Sequence, residues 1–366
     1  MKMIKVATVF SGIGAPEEAL KQLNIDFDIV FACDNGEREI EKTYEEILEE
    51  TKEMTFDEQV SFVNDLYKLT NKENFVKKSY FANNKISDDK WYEDVRFIDG
   101  KKYKNSIDLL IGGSPCQSFS TFGKKKGFED TRGTLFFHYA NLIKEIRPSV
   151  FIYENVVGLK THNGGNTWKR IQEVFDELEY NVFDFELNAK DYGLPQLRNR
   201  VFAVGFKNEM NVNKFDEPKK VELKKFATDY LSNKVDLKYY MGKKGFEWVT
   251  TPEKHQSRSR VNRDIIGCQT ANQQFNWIGD FRIESPTDEM RNNEKIHIGL
   301  YDGKESVARK LTPEECLKLM GFENFHIVVD DKNAYRQSGN SIAVPVLKAL
   351  LKNVVKIIED YNERDD

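Results

Sequence analysis

The sequence predicts an α/β protein built on an open, doubly wound sheet with a second, smaller domain, and three observations predict it. Short β-branched runs alternate with helix-like stretches through the first 206 residues. Those runs end in glycine-rich or polar clusters, where ligands bind in such sheets, beyond the carboxyl ends of the strands. A basic stretch with few aliphatic runs, residues 207–300, then breaks the alternation before helical patterns resume.

The elements follow in order. Residues 4–10 (IKVATVF) form a β-branched run that ends in a glycine-rich turn, and a helical stretch starts at about Pro16. Residues 28–33 (DIVFAC) are the second run, 107–111 (IDLLI) the third, 150–153 (VFIY) the fourth and 200–206 (RVFAVGF) the fifth. Helical patterns cover 134–146 and 167–178. Residues 309–322 predict a helix with Thr312 as N-cap, Pro313 at the first position and Glu315 at the third. A last helical stretch covers 340–359. The expected division is a catalytic domain of 1–206 plus 307–366, carrying an acidic, helix-prone insert over 37–90, and a second domain of 207–306. The insert has no assignable role and reads as a helical excursion on the outer face.

A chain of 366 residues that is 39% hydrophobic can bury a core, and 31% charged residues keep it soluble. No run of about 18 apolar residues predicts a membrane span. The N-terminus lacks the apolar stretch and cleavage site of a signal peptide. Four cysteines (Cys33, Cys116, Cys268, Cys316) are scattered without a CxxC pair, which argues against a zinc site or disulfide framework. A reducing cytoplasm fits them. The net charge of −5 speaks against a polyanionic partner, but the distribution weakens that objection. Residues 37–75 carry 12 Asp/Glu and 5 Lys/Arg, whereas 207–263 carry 14 Lys/Arg and 8 Asp/Glu. A polyanion meets the local surface; solvated faces are the plainer reading of both runs.

Two loops carry chemistry. The first strand ends in Phe10-Ser11-Gly12-Ile13-Gly14, where glycines let the backbone turn tightly against a ligand. The third glycine of a dinucleotide fingerprint is replaced by Glu17, which disfavours a bound pyrophosphate and a nicotinamide oxidoreductase. Asp34 ends the second strand and suits ribose hydroxyls. Alone, such a loop is a weak signal, equally a plain strand-to-helix turn. The second loop is Gly112-Gly113-Ser114-Pro115-Cys116-Gln117. A lone cysteine is usually buried and inert, but this one stands at the mouth of the expected cleft, where nearby charge can favour its thiolate. The loop that follows, through Gly133, has three consecutive lysines and reads as a lid over an anionic substrate.

Pro115-Cys116-Gln117, then Glu154-Asn155-Val156, then Gln196-Leu197-Arg198-Asn199-Arg200 resemble the DNA (cytosine-5) methyltransferase family, in its order and spacing from residue 4 to about 350. The resemblance implies a Rossmann-like methyltransferase sheet, a target-recognition domain in the basic segment, and S-adenosylmethionine as cofactor with S-adenosylhomocysteine as product. It makes Cys116 the nucleophile that adds to C6 of cytosine, activating C5. Glu154 is then the residue that hydrogen-bonds N3 and the exocyclic amine. Arg200 reaches O2, and Arg198 helps hold Glu154 and the loop.

On the cofactor side the resemblance assigns Phe10, Gly12, Ile13 and Gly14 to the first motif and Asp34 to the ribose, at a position where Glu is usual. Asn35 follows where a large apolar residue often packs on the adenine. Asp94 and Val95 are assigned to the adenine amine and ring, Leu135 to the adenine pocket, and Gly113 and Pro115 to cofactor binding. Asn340 and Ser341 complete the methionine pocket, with Gly339 fitting a tight turn. Arg309, Leu311, Thr312 and Glu315 support the recognition domain.

The implied mechanism flips the cytosine out of the duplex and closes loop 117–133 over it. Gln117, Ser120 and Lys124 are expected to meet DNA there. Gln256, Arg258, Arg260, Asn272, Gln273 and Gln274 are the candidate base readers, since their side chains pair with base edges. The implied partners are double-stranded DNA and a cognate restriction endonuclease acting separately. The chain is expected as a cytoplasmic, nucleoid-associated monomer. Two other readings stand beside this one: a tRNA cytosine-5 methyltransferase, and a catalytically silent DNA-binding member, the latter disfavoured by intact Cys116, Glu154 and Arg200.

Overall fold

In the computed structural model, which describes residues 3–115, 134–251 and 258–365, strand β1 (Ile4–Val9) is buried at every position except Lys5. Such a strand belongs at the centre of a sheet covered on both faces. Strand β2 (Phe27–Cys33) pairs parallel with it on one side. Strand β3 (Trp91–Tyr92) pairs parallel with β2. On the other side β4 (Leu109–Gly112) runs parallel to β1, and β5 (Val150–Val156) runs parallel to β4. Beyond them lie β6 (Tyr180–Asn188) and β7 (Asn199–Lys207), which gives the order β3-β2-β1-β4-β5-β7-β6. The strand order reverses between β1 and β4, and the crevice for a ligand opens at that switch point.

The doubly wound sheet is thus present, with two departures from the expected strands. β7 is antiparallel to β5, and β6 was not expected as a strand. An antiparallel strand on a parallel sheet is a common departure. Helices bury both faces. On β2, Phe31 and Cys33 join the core formed by helix α5 (Leu135–Ile146) and the helix Asn166–Glu177. Ile29 and Ala32 of the same strand pack instead with Tyr80 and Trp91. A register shift between β1 and β2 lies between these positions. Helix α1 (Ala15–Gln22) follows β1 and takes Pro16 in its first turn.

The acidic insert folds as three helices: α2 (Tyr44–Glu50), α3 (Phe56–Leu69) and α4 (Phe75–Asn83). Thr43 with Glu46 and Thr55 with Glu58 make reciprocal capping boxes, so part of the acidic charge serves helix starts. It is helical, as expected, and its inner side packs on the rest of the unit. Ile47, Val63 and Tyr67 share a buried cluster with Phe97.

The chain divides into two compact units: Met1–Leu187, Asn199–Lys219 and Leu347–Asp366 in one, Asn188–Arg198 and Lys220–Val346 in the other. Residues 207–219 therefore fall in the first unit and 307–346 in the second. In the second unit β8 (Ser259–Val261), β9 (Gly279–Glu284), β10 (Gly299–Tyr301) and β11 (Lys304–Lys310) form a sheet ordered β10-β11-β9-β8. β11 pairs antiparallel with β9, which keeps residues past 306 in this unit. Arg309 and Lys310 are consequently strand residues, and the helix expected from 309 runs Pro313–Lys318. Thr312, Pro313 and Glu315 hold the capping positions the sequence predicts. The last helical stretch, expected over 340–359, runs Val344–Asp365, and a helix not expected from the sequence, Asp331–Asn340, precedes it. Among the described residues, no helix is long and apolar enough to cross a membrane.

Candidate active site

In the first unit the expected site residues gather at the carboxyl ends of the strands. The glycine loop leaves β1 with left-handed backbone at Phe10 (φ 54°), Gly12 (φ 54°) and Gly14 (φ 85°). A bulky non-glycine residue such as Phe10 rarely adopts that region and does so in a constrained turn. Ser11 pins the loop to the end of β2: its Oγ donates to the Cys33 carbonyl at 3.1 Å and accepts from the Cys33 N–H at 3.0 Å. The Gly12 N–H donates to Asp34 Oδ2 at 2.9 Å, and the Gly36 N–H donates to Asp34 Oδ1 at 2.8 Å. Each carboxylate oxygen keeps a lone pair beyond that bond. Burial raises the Asp34 carboxyl above its ordinary value, with the Gly36 and Gly12 N–H groups opposing it.

These residues fit an adenosyl ligand. A Cβ built on Gly12 meets nothing within 4 Å, so the loop is lined by open space. Asp34 offers acceptors beside it, as ribose hydroxyls require. Asn35 is folded into its own turn, its amide donating to the Arg38 carbonyl at 2.9 Å. Asp94 differs from Asp34. It accepts from the Arg96 side chain (Nη2 to Oδ2 2.6 Å), from the Arg96 N–H (3.0 Å) and from the Tyr67 hydroxyl (2.9 Å). Its carboxylate is engaged in holding the turn into Val95, which is 6% exposed. Leu135 opens α5 behind the Thr134 cap and packs against the main core. Glu17, which replaces the fingerprint glycine, is fully buried. It accepts from Thr8 Oγ1 at 3.0 Å and from the Tyr80 hydroxyl at 2.5 Å. Burial raises its carboxyl above the ordinary range.

Glu154 and Arg200 come together on neighbouring strands. Glu154 pairs with Phe202 and Arg200 with Val156, so both side chains lie on one face, two residues apart on the diagonal. Arg200 Nε stands 3.2 Å from Glu154 Oε1, with the side chains 16% and 14% exposed. Gly113 lies against this pair: a Cβ there would sit 2.7 Å from the Glu154 carbonyl oxygen. Glycine at 113 is a matter of close approach. No role for Asn155 is legible in the sequence, yet it fixes the loop. Its amide donates to the Ser114 carbonyl at 2.8 Å and to the Tyr153 hydroxyl at 2.9 Å. Ser114 Oγ in turn meets the Tyr153 hydroxyl at 2.9 Å. A buried asparagine at a strand end beside a glycine-rich loop was the available signal. Pro115 is the last described residue of that loop and is exposed. Cys116, Gln117, Ser120, Lys124 and Gln256 lie outside the described residues.

In the second unit Arg198 is 3% exposed and binds three carbonyls. Nη1 donates to Gln269 at 2.8 Å, and Nη2 donates to Gly339 at 3.1 Å and to Ser341 at 2.5 Å. It thereby holds the segment that carries Asn340 and Ser341. Gly339 is helical rather than part of a tight turn. Its glycine identity comes from the backbone of Thr270, 2.2 Å from where a Cβ would stand.

The candidate base readers separate by burial. Gln273 and Gln274 are 2% and 1% exposed. The Gln273 amide donates to Ser338 Oγ at 2.8 Å and the Tyr335 carbonyl at 3.0 Å. That of Gln274 donates to the Asp280 carbonyl at 3.0 Å. Both brace the unit's interior and present nothing to a base edge. Arg258 and Asn272 are exposed, and Arg260 is half-buried with Nη1 3.8 Å from Asp280 Oδ2.

The C-5 cytosine-specific DNA methylase model matches residues 58–356. The type II methyltransferase M1.ScrFI of Lactococcus lactis subsp. cremoris is 38% identical over 288 residues, 78% of this chain and 70% of its own. The type II methyltransferase M.HpaII of Haemophilus parainfluenzae is 34% identical over 300 residues, 77% of this chain and 80% of its own. Among solved structures, the Entamoeba histolytica methyltransferase EhMeth matches with a TM-score of 0.66 at 17% identity, over 97% of this chain and 99% of that one. At that identity the likeness concerns the fold.

Proposed function

Because the chain belongs to the C-5 cytosine-specific DNA methylase family, we propose that it methylates C5 of a cytosine turned out of double-stranded DNA, through a covalent bond between Cys116 and C6. At the coarser level it is a DNA cytosine-5 methyltransferase of the restriction–modification type. The observation that carries the finer reading is the Glu154–Arg200 pair, 3.2 Å apart and packed against Gly113, three residues before Cys116.

C5 of neutral cytosine is a poor nucleophile, and C6 is inaccessible in the stack, so the base must leave the duplex first. The Cys116 thiolate then forms a bond to C6, and the displaced electron pair raises electron density at C5 and N3. Glu154 hydrogen-bonds N3 and the exocyclic amine, offsetting that charge. Arg200, held in orientation by Glu154, supplies fixed positive charge at O2. S-adenosylmethionine supplies the electrophilic methyl group, and the glycine loop with Asp34 would hold its nucleoside part. Loss of the C5 proton then restores the ring double bond and expels Cys116 as thiolate. Arg258 and Asn272 are the exposed residues offered to base edges.

The test incubates the purified chain with labelled S-adenosylmethionine and either mixed-sequence duplex DNA or total tRNA, beside Cys116→Ser. Label in DNA from the wild type alone supports the reading, and bisulfite sequencing then gives the target site. Label in tRNA alone, or none in either with cofactor binding intact, overturns it.

A further inference from the structure

The insert 37–90 touches three of the segments assigned to the cofactor, the glycine loop, Asp34 and Asp94, and all these contacts lie within the first unit. From α4, the Tyr80 hydroxyl donates to Glu17 at 2.5 Å, directly behind the glycine loop. The same helix ends at Asn84, whose Nδ2 lies 2.6 Å from where a Cβ on Gly14 would stand. From the cap of α4, Asn74 Nδ2 donates to the Asp34 carbonyl at 2.8 Å and to Glu93 Oε2 at 2.8 Å. From α3, the Tyr67 hydroxyl donates to Asp94 Oδ2 at 2.9 Å.

Arg38 closes the network. Its Nε donates to the Asn35 carbonyl at 2.8 Å, its Nη2 pairs with Glu93, and its guanidinium stacks 4.8 Å over the Tyr67 ring. Tyr67, Tyr80 and Asn74 are 2%, 0% and 8% exposed. Bonds this buried gain strength from the low local dielectric and fix their partners firmly. The ends of β2 and β3, which present Asp34 and Asp94, are thus tied to each other through the insert.

We propose that the insert is a positioning element for the S-adenosylmethionine pocket, with Tyr67 and Asn74 as its positioning residues. The proposal rests on the assignment of Asp34 and the glycine loop to that cofactor. Without the insert's bonds, the turns after β2 and β3 keep only their local bonds, such as those of Gly12 to Asp34 and Arg96 to Asp94, and more of their ordering must come from the binding energy of the ligand.

The test uses the full chain carrying Tyr67→Phe, which removes one hydroxyl, or Asn74→Ser. Serine keeps a capping oxygen for α4 while removing the donor to Asp34. Each variant is expected to raise KM and Kd for S-adenosylmethionine at least about tenfold, as the loss of one such hydrogen bond at Tyr67 or of two at Asn74, to Asp34 and to Glu93, requires. The kcat at saturating cofactor and KM for DNA stay within about twofold. A merely structural role would lower the active fraction, and so kcat, at unchanged KM, and that result overturns the proposal. Asp34→Ala runs beside them. If it leaves cofactor binding unchanged, the site assignment itself has failed. If it weakens binding while Tyr67→Phe and Asn74→Ser do not, only the role of the insert has failed.

Discussion

Gly113 and Glu154 pass so closely that a Cβ on Gly113 would lie 2.7 Å from the Glu154 carbonyl and 3.0 Å from its Oε2. Backbone at that distance cannot give way cheaply. Gly113→Ala must therefore move either the loop that leads to Cys116 or the carboxylate paired with Arg200. A displacement of about 1 Å at reacting groups costs on the order of 100-fold in rate. The expected outcome is a kcat lower by about that factor, with Kd for cofactor changed much less. A kcat within about twofold of wild type would show that the contact relaxes harmlessly.

Asn155 acts on the same loop from the side of the strand. Asn155→Ala leaves the buried Ser114 carbonyl short of a donor and takes one of its partners from the Tyr153 hydroxyl. An unsatisfied buried group costs about 1–3 kcal/mol. Urea denaturation should register that loss, and single-turnover methylation should slow as well. Loss of stability with an unchanged rate would confine Asn155 to the fold.

The candidate site was legible in the sequence because its residues come in short local motifs. Glycines and acids at the ends of β-branched runs suggest both strand and candidate site, so Gly12 and Asp34 are candidates before any contact is known, whereas Glu154 and Arg200 become candidates only through the family's motifs. What could not be read depends on distant partners. Tyr67 meets Asp94 across 27 residues and Asn74 meets Asp34 across 40. No periodicity within the insert encodes either bond, and its acidic composition suggested only a solvated face. Gln273 and Gln274 have the composition of base readers but face inward, because the local pattern does not fix which face of an irregular segment is buried. Gly339 lies in a helix where glycine is locally unfavourable; its reason is the Thr270 backbone. The antiparallel pairing of β7 is likewise a property of chain path.

Arg309 and Glu315 form an ion pair sealed from solvent in the second unit, at 1% and 0% side-chain exposure. Two parallel bonds join them, Nη1 to Oε2 at 2.9 Å and Nη2 to Oε1 at 3.1 Å. Glu315 also accepts from the Thr312 N–H at 2.8 Å and the Ser232 N–H at 2.9 Å. Glu315→Ala strands a buried guanidinium, for which the usual cost is about 3–5 kcal/mol. Glu284, 2.7 Å from Arg309 Nε, compensates in part and sets the expectation at about 3 kcal/mol. The double variant Arg309→Met, Glu315→Leu should recover much of the loss. Urea midpoints of the three proteins check this; a double variant no better than Glu315→Ala would show that the caps, not the charge, carry the effect.

His138 links the fold to pH. It lies on α5 at 8% exposure, edge-on to Tyr44 of the insert at 5.1 Å. Burial pushes its pKa from 6.5 down to about 4; Arg96 adds to the shift and Asp94 opposes it. The folded chain keeps this imidazole neutral, whereas the unfolded chain takes up a proton as the pH falls below 6.5. The unfolded state then binds more protons, so stability is lost progressively from about pH 6.5 down to about pH 4. Between about pH 7 and pH 5 the loss from this one group amounts to about 2 kcal/mol. A phenyl ring fits the same aromatic surroundings without titrating, so His138→Phe should flatten the dependence by that amount. Urea denaturation of both proteins across this range measures it. Equal pH slopes for the two would mean that His138 takes up its proton in the folded state as readily as in the unfolded chain.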